Sequence, residues 1–434
     1  MAILRGTKMV TNIMNNALQT DSPWKAFLYI INLILCIYPI LGSFFWFWGA
    51  VGYKIFRKRD ELDPAGSKPL TKEPFITIMV PAHNEEVVIK DTLTYLLTQL
   101  NYHNYEVLVM DDGSKDQTPE ILADLQKQYP KLRVVRIENN QGKAHAFNIG
   151  MFFAKGEYIL SNDADTIPEA DALTKYMQYF TSPAGLNYAA ITANMDVYNR
   201  TKLLGKSQTV EFSSIVGIIK RSQTAINDTM YAYSGANTMY RRDFLIDVGG
   251  FRQDRATEDI SIAWDHTFDN LTPKFAPDIV FHMNVPGGSE VWMTNFGKVF
   301  KHPWRHRFIL PMMIDTTFSI IWFFFCITSV IFILTMLWFF FQGNYERIFH
   351  GFVMSMIFMN FQLLAGIVQV LAALLMDFHG IKLRYLFFAP IYLLLTWVVN
   401  PLTILFTFSK AVKAVMGKGK GTWKSPERKE GMNG

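Results

Sequence analysis

Four stretches of this chain, residues 26–53, 316–345, 351–376 and 386–409, contain no charged side chain. A helix needs about 20 apolar residues to cross a hydrocarbon core, and each stretch is longer than that. One such run could be a buried core helix; four in one chain exclude a wholly soluble fold. Composition agrees, since half the residues are hydrophobic and 18% are charged, against about 25% charged in a typical soluble protein. That balance also excludes a disordered chain. The first run is too long for a cleavable leader and lacks a small-residue cleavage site. Trp24, Trp46, Trp48, Trp338 and Trp397 stand near the ends of these runs, as interfacial aromatic belts do.

Lys54, Arg57, Lys58 and Arg59 close the first run. Positive charge marks the cytoplasmic side, so residues 57–307 are expected there as one soluble domain. The expected order is an N-terminal segment (1–25), a transmembrane helix (26–56) and the cytoplasmic domain (57–307). A C-terminal membrane region (308–409) of about three helices and a basic tail (410–434) follow. The formal net charge is +5, and the tail alone holds seven Lys/Arg against two Glu. Beside a membrane segment such a tail reads as a lipid-headgroup contact, and nucleic-acid binding is not expected. Three further crossings would put the tail outside, whereas its charge favours the inside. Pro390 and Asn400–Pro401 are where one segment would break or re-enter. The two cysteines, Cys36 and Cys326, lie in apolar runs and form neither a disulfide scaffold nor a thiolate metal site.

Within the soluble part, residues 75–80 and 105–110 are continuous apolar runs of strand length, with shorter ones at 132–137 and 158–161. Helical periodicity falls between them, over 85–99 and 118–128. Strands buried on both faces and alternating with helices predict an α/β domain on a mostly parallel sheet. Ligands in such sheets bind beyond the carboxyl ends of the strands. There the chain places Pro81-Ala82-His83-Asn84-Glu85, then Asp111-Asp112-Gly113-Ser114, then Asn162-Asp163-Ala164-Asp165. No phosphate-binding G-x-x-x-x-G-K-[ST] loop and no G-x-G-x-x-G follows a strand, so nucleoside-triphosphatase and dinucleotide-oxidoreductase readings lack support. The strand ends offer carboxylates instead. Asp163 and Asp165 straddle one residue, a spacing that lets two hard oxygen ligands face a common point. Mg²⁺ or Mn²⁺ shared with a substrate diphosphate suits them. A pair of aspartates capping a loop is the bland alternative, and an earlier strand ending in Asp111-Asp112 weighs against it. His83 and His145 read as structural.

The runs VPAHNEE, VLVMDDGSKDQT, NNQGKAHAFNIG, LSNDADT and ATEDISIAWD together resemble the processive membrane β-glycosyltransferases, which include cellulose, chitin and hyaluronan synthases. The GKSQTVEFSSIVGIIKRSQ and GTWKSPER stretches are similar to bacterial poly-β-1,6-N-acetylglucosamine synthases. The resemblance covers most of the chain. It implies a GT-A nucleotide-diphospho-sugar transferase domain inserted between transmembrane helices of an integral membrane protein at the bacterial cell membrane, with its catalytic part cytoplasmic. It also implies residue roles. Pro81, Ala82, Asn84 and Glu85 line the uridine pocket, Asp112 contacts base or ribose, and Lys143 lies near the nucleotide. Asp163 and Asp165 hold the metal. Asp259, with Glu258 in the same motif, is the general base. Ser234, Gly235 and Ala236 meet the acceptor. The implied partners are UDP-N-acetylglucosamine, the growing polysaccharide, the bilayer and a small membrane accessory subunit. Read without the resemblance, Thr257-Glu258-Asp259 is a capped helix start.

One departure stands out. The family carries a Gln-x-x-Arg-Trp motif at the membrane interface after the motif containing Asp259, and this chain has none. Val285-Pro286 runs directly into Gly287-Gly288, as though a short segment were missing. Trp304-Arg305-His306-Arg307 lies nearby but where the family has an interfacial helix. The expectation is a retained donor site with weak or absent polymerisation. The rival readings are a hyaluronan- or chitin-type synthase with another linkage, and a non-catalytic nucleotide-sugar-binding membrane subunit. A polyprenyl-phosphate transferase fits less well, because it lacks the Thr257–Asp259 context.

Overall fold

A computed structural model of the chain describes residues 23–57, 70–197, 203–227, 230–253, 257–283 and 331–391. It divides into two compact units, residues 1–45 with 314–369 and residues 46–313 with 370–434. Two long helices fall on expected apolar runs: α1 over Pro23–Phe56 and α10 over Tyr345–Met376. Counted over fully described residues alone, no helix is long and apolar enough to cross a membrane; the crossings remain expectations from the sequence. Most of the run at 386–409, and the whole stretch around the missing motif, lie outside the described residues.

The second unit holds the α/β domain. Its elements alternate as β1 (Ile76–Ala82), α2 (Ile89–Thr98), β2 (Tyr105–Asp112), α3 (Thr118–Gln128), β3 (Leu132–Ile137), α4 (Lys143–Phe153) and β4 (Tyr158–Asn162). The short β5 (Ile167–Pro168), α5 (Ala172–Thr181) and β6 (Tyr188–Val197) follow. Next, α6 (Leu203–Phe212) runs through a π-turn at Ser213–Gly217 into α7 (Ile218–Asn227). The domain ends with β7 (Asn237–Arg241), α8 (Arg242–Asp247), α9 (Glu258–Phe268) and β8 (Thr272–Met283).

Every residue of β1, β2 and β4 is buried, because successive side chains serve two cores. Ile76, Ile78, Val80, Val107, Val109 and Leu160 pack with Leu93, Leu122 and Phe180 of α2, α3 and α5. Met79, Leu108, Met110 and Ile159 point the other way, into Phe147 of α4 and Ile262 of α9. The period-two alternation is therefore present but invisible as polarity, since both faces are covered.

The sheet order is β3-β2-β1-β4-β7-β6-β8-β5. The first four strands are parallel, as expected. The remainder is mixed: β7 runs antiparallel to β4 and β6, while β8 is parallel to β6. The long α6–α7 excursion re-enters the sheet at the edge where β6 ends, so β7 runs back antiparallel to it. The helix expected over 85–99 starts at Ile89, because Asn84 takes a left-handed backbone (φ 57°) and delays it. Asparagine is among the few residues that tolerate this region.

A buried ion network ties the segment after α10 to the sheet. Asp377 is wholly buried. It accepts hydrogen bonds from Lys382 (2.8 Å), Ser213 (2.8 Å) and Asn194 (2.8 Å) and pairs with Arg221 (3.3 Å). Lys382 also reaches Asp196 at 3.0 Å. Removing one partner from such a network strands the others as uncompensated charges. Asp377→Ala should therefore destabilise this unit by about 3–5 kcal/mol, read as a lowered thermal midpoint. An unchanged midpoint would mean that the network contributes nothing net.

Candidate active site

The loops after β1 and β2 are stitched together before they can hold anything. Asn84 donates its backbone N–H to Ser114 Oγ (2.9 Å) and its Oδ1 accepts from the Lys115 amide (2.8 Å). The Glu85 amide donates to Thr118 Oγ1 at 2.9 Å. Pro81 and Ala82 are the buried last residues of β1, Glu85 is 3% exposed, and Asn84 faces solvent. His83 Nδ1 lies 2.7 Å from the Asp112 carbonyl oxygen.

Asp112 is fully buried and does something the sequence does not announce. Its two oxygens accept the amides of Gln141 (3.3 Å) and Gly142 (3.0 Å). Burial raises its carboxyl above the usual range, and these two hydrogen bonds oppose the rise. Gly142 has φ 98°, a conformation that side chains resist, and it delivers the chain into α4. Asp112 thus braces the turn whose next residue is Lys143.

Lys143 opens α4 and reaches into a ring of carboxylates. Its ammonium lies 2.5 Å from Asp163 Oδ1 and 3.7 Å from Glu258 Oε1, with the charge of Asp259 also acting on it. Burial alone would depress Lys143, but Asp163 and Glu258 hold it above the ordinary lysine range. Asp163 sits on the turn after β4, which Asn162 fixes by donating to the carbonyls of Asp163 (2.8 Å) and Thr166 (2.9 Å). Asp165, two residues on, is 2% exposed.

Glu258 and Asp259 form the first turn of α9. Thr257 stands at the N-cap, yet its hydroxyl makes no capping bond, so the helix-start explanation of this motif is only half right. Asp259 Oδ1 accepts from the Ile260 amide (2.9 Å) and Oδ2 from the Gly235 amide (3.0 Å). Burial pushes Glu258 up to about 7, with Lys143 opposing and Asp259 reinforcing the rise. Asp259 is raised by burial too, against Lys143 and its two backbone donors.

The Ser234–Gly235–Ala236 loop closes the ring. A Cβ on Gly235 would stand 3.1 Å from Lys143 Nζ, 3.3 Å from Glu258 Oε1 and 3.4 Å from Asp259 Oδ2. The loop is pinned by Thr192 and Thr238, whose hydroxyls accept the Ser234 amide at 3.1 and 3.2 Å. Ala236 is buried against Met195, Val197 and Phe212.

The structure thus brings Lys143, Asp163, Glu258, Asp259 and Gly235 together, and links Asp112 to them through Gly142. It also shows Lys220 of α7, which the sequence analysis passed over. This lysine is 7% exposed, and Asp259 is the carboxylate whose charge acts on it. Burial pushes its ammonium down to about 8, against Asp259. Its signal was a Lys-Arg pair inside an otherwise apolar and hydroxyl-rich helix.

The raised Glu258 pKa has a stability consequence with a fixed sign. A folded-state value above the ordinary 4.5 favours the protonated form, so its contribution is complete below about pH 4.5 and is lost as pH rises through about 7. Stability of the wild type relative to Glu258→Gln should therefore fall between pH 5 and 8. A pH-independent difference in thermal midpoint would contradict the assignment.

Residues 77–249 match the family model described as "Glycosyl transferase family 2". The poly-beta-1,6-N-acetyl-D-glucosamine synthase of Staphylococcus epidermidis is 31% identical over 424 residues, covering 92% of this chain and 99% of that protein. The synthase of the same description from Staphylococcus aureus is 29% identical over 412 residues, covering 91% and 97%. Among solved structures, a mannosyltransferase from Pyrobaculum calidifontis, in complex with GDP-Man and Mn²⁺, shares the fold. Its TM-score is 0.57 at 19% identity, over 79% of this chain and 96% of that one. An α/β GT-A-type domain carrying this acidic cluster, in a chain aligned end to end with such synthases, belongs to glycosyl transferase family 2, in the branch of the poly-beta-1,6-N-acetyl-D-glucosamine synthases.

Proposed function

We propose that the protein transfers N-acetylglucosamine from UDP-N-acetylglucosamine to the end of a growing β-1,6-linked polysaccharide, with inversion at the sugar carbon. The observation that carries this is the convergence of Lys143, Asp163, Glu258 and Asp259 at the ends of α4, β4 and α9. The named activity of relatives that align with more than nine-tenths of the chain supports it.

In this reading Asp259 takes the proton from the acceptor hydroxyl. That oxygen bonds to the anomeric carbon while the bond to the phosphate oxygen breaks, and UDP leaves with the electron pair. The Gly235 and Ile260 amides fix the carboxylate's direction. Lys143 sets a positive charge beside the departing diphosphate. Pro81, Ala82, Asn84 and Glu85 border the uridine side, and Asp112 acts there through the turn it braces. Ser234–Gly235–Ala236 borders the acceptor.

Asp163 and Asp165 suit a divalent cation. Among the described residues no three His, Cys, Asp or Glu gather as a self-sufficient metal cage. Two carboxylates completed by a diphosphate and water is the pattern for Mg²⁺ or Mn²⁺. A bound cation would neutralise the leaving diphosphate. We further read the chain as a multi-pass protein of a bacterial cell membrane, with this domain cytoplasmic and a small membrane subunit as partner. The absent Gln-x-x-Arg-Trp motif leads us to expect short products or donor turnover without long polymer.

Full-length protein in membranes, given labelled UDP-N-acetylglucosamine, should transfer sugar only with Mg²⁺ or Mn²⁺, stop on chelation and recover on metal addition. Asp259→Asn should lower transfer by about 10²–10⁴-fold while donor binding persists; unchanged transfer would remove Asp259 as the base. Robust long polymer from the wild type would overturn the expectation of weak elongation. Gly235→Ala places a methyl group among Lys143, Glu258 and Asp259, and should cost about 10²-fold in turnover through misplacement.

A further inference from the structure

Tyr233 and His266 form a buried polar pair that the reaction described above does not use. Tyr233 is 3% exposed and His266 is fully buried, and the Tyr233 hydroxyl is hydrogen-bonded to His266 Nδ1 at 2.8 Å. Among the described residues His266 Nε2 has no hydrogen-bond partner. Burial pushes the imidazole down to about 3, which keeps the ring neutral across the working pH range. The tyrosine cannot swing away, because its ring stands edge-on to Tyr240 of β7 (centroids 5.5 Å apart, planes at 89°) and shares a core with Ile262 and Ala263 of α9. One hydrogen bond returns little against the desolvation of a hydroxyl and of an imidazole with one nitrogen left bare. Stability alone is therefore a weak reason for the pair.

Its meaning comes from where its members sit in the chain. Tyr233 stands two residues before Gly235, and His266 stands seven residues after Asp259 on α9. Seven residues make about two helical turns, so Asp259 and His266 face the same side of the helix. The loop is thus attached to α9 at two points. The Gly235 amide donates to Asp259 Oδ2 at 3.0 Å, and the Tyr233 hydroxyl bonds His266. Between these points Ser234 is held to the sheet: its amide donates to the Thr192 and Thr238 hydroxyls, and its carbonyl accepts from Thr238 Oγ1 at 2.7 Å. Removing the Tyr233 anchor loosens α9 against a loop that is fixed elsewhere, and the bond strained by that loosening is the one from Gly235 to Asp259. That amide is one of two backbone donors that favour the ionised carboxylate.

We infer that Tyr233 and His266 are positioning residues for Asp259, their bond setting the acceptor loop against α9 so that the Gly235 amide stays on the carboxylate. The use made of that carboxylate rests on the proposed transfer with Asp259 as base, so the test reads position and turnover separately. Hydrogen exchange of the Gly235 amide and the pH profile of kcat are measured on the full-length protein. Tyr233→Phe removes one oxygen and keeps the ring. It should speed Gly235 exchange and lower kcat about tenfold with the donor KM unchanged. It should also move the acid limb of kcat upward in pH, because a base with a raised pKa sheds its proton later. Lys143, Lys220 and Glu258, whose charges also act on Asp259, are untouched by the change. His266→Leu should act in the same way, whereas His266→Asn, whose amide can take the place of Nδ1, should restore most of kcat and the wild-type limb. An unmoved acid limb in Tyr233→Phe overturns the inference, and so does unchanged Gly235 exchange. Equal losses in His266→Leu and His266→Asn would mark a purely structural role and overturn it as well. Wild-type transfer by Asp259→Asn would instead sink the catalytic reading, and faster Gly235 exchange in Tyr233→Phe would then still uphold the pair as what holds the carboxylate.

Discussion

One ammonium among three carboxylates organises this protein. Without Lys143, the negative charges of Asp163, Glu258 and Asp259 would crowd one poorly solvated pocket, and repulsion plus desolvation would drive protons onto them or the loops apart. With it, three segments distant in sequence meet at a point: the turn after β4, the start of α9 and the start of α4. The rest of the scaffold serves that meeting. Asp112 spends its carboxylate on the turn that launches Lys143, and the bare Cα of Gly235 gives the cluster room.

The balance leaves the two acidic neighbours on α9 chemically unequal. Asp259 is tied by two backbone amides and feels the positive charge of Lys143 and Lys220, whereas Glu258 has the Lys143 ammonium at 3.7 Å. The more strongly supported carboxylate is the better candidate to stay ionised and accept a proton. Glu258, poised near neutrality, suits the role of a neighbour whose charge changes with pH. Differences of environment between adjacent acids are a common way to divide such work.

Much of this was legible in the sequence because it is written in short-range signals. Apolar runs such as Ile76–Ala82, punctuated by polar strand ends, predicted the parallel half of the sheet and the edge that bears the site. The antiparallel half was not, since the direction of β7 depends on where the α6–α7 excursion ends, a property of tertiary packing. Asp163 was singled out by its spacing to Asp165 after a strand, and Glu258 and Asp259 by the family resemblance alone. Lys220 was missed because its meaning lies in burial and in what stands across from it, neither of which a local pattern carries. The Thr257 cap shows the opposite error, a correct helix start whose hydroxyl does not take the expected part.

The Asp377 network carries an implication beyond folding. Arg221, which it clamps, is the residue next to Lys220, and Lys382 at its other end belongs to the stretch just past α10. The helix that carries Arg221 is thereby bolted to the stretch just past α10 by charges that cannot be separated cheaply. Any tilt or slide of the stretch that carries Lys382 must therefore carry the helix of Arg221 with it.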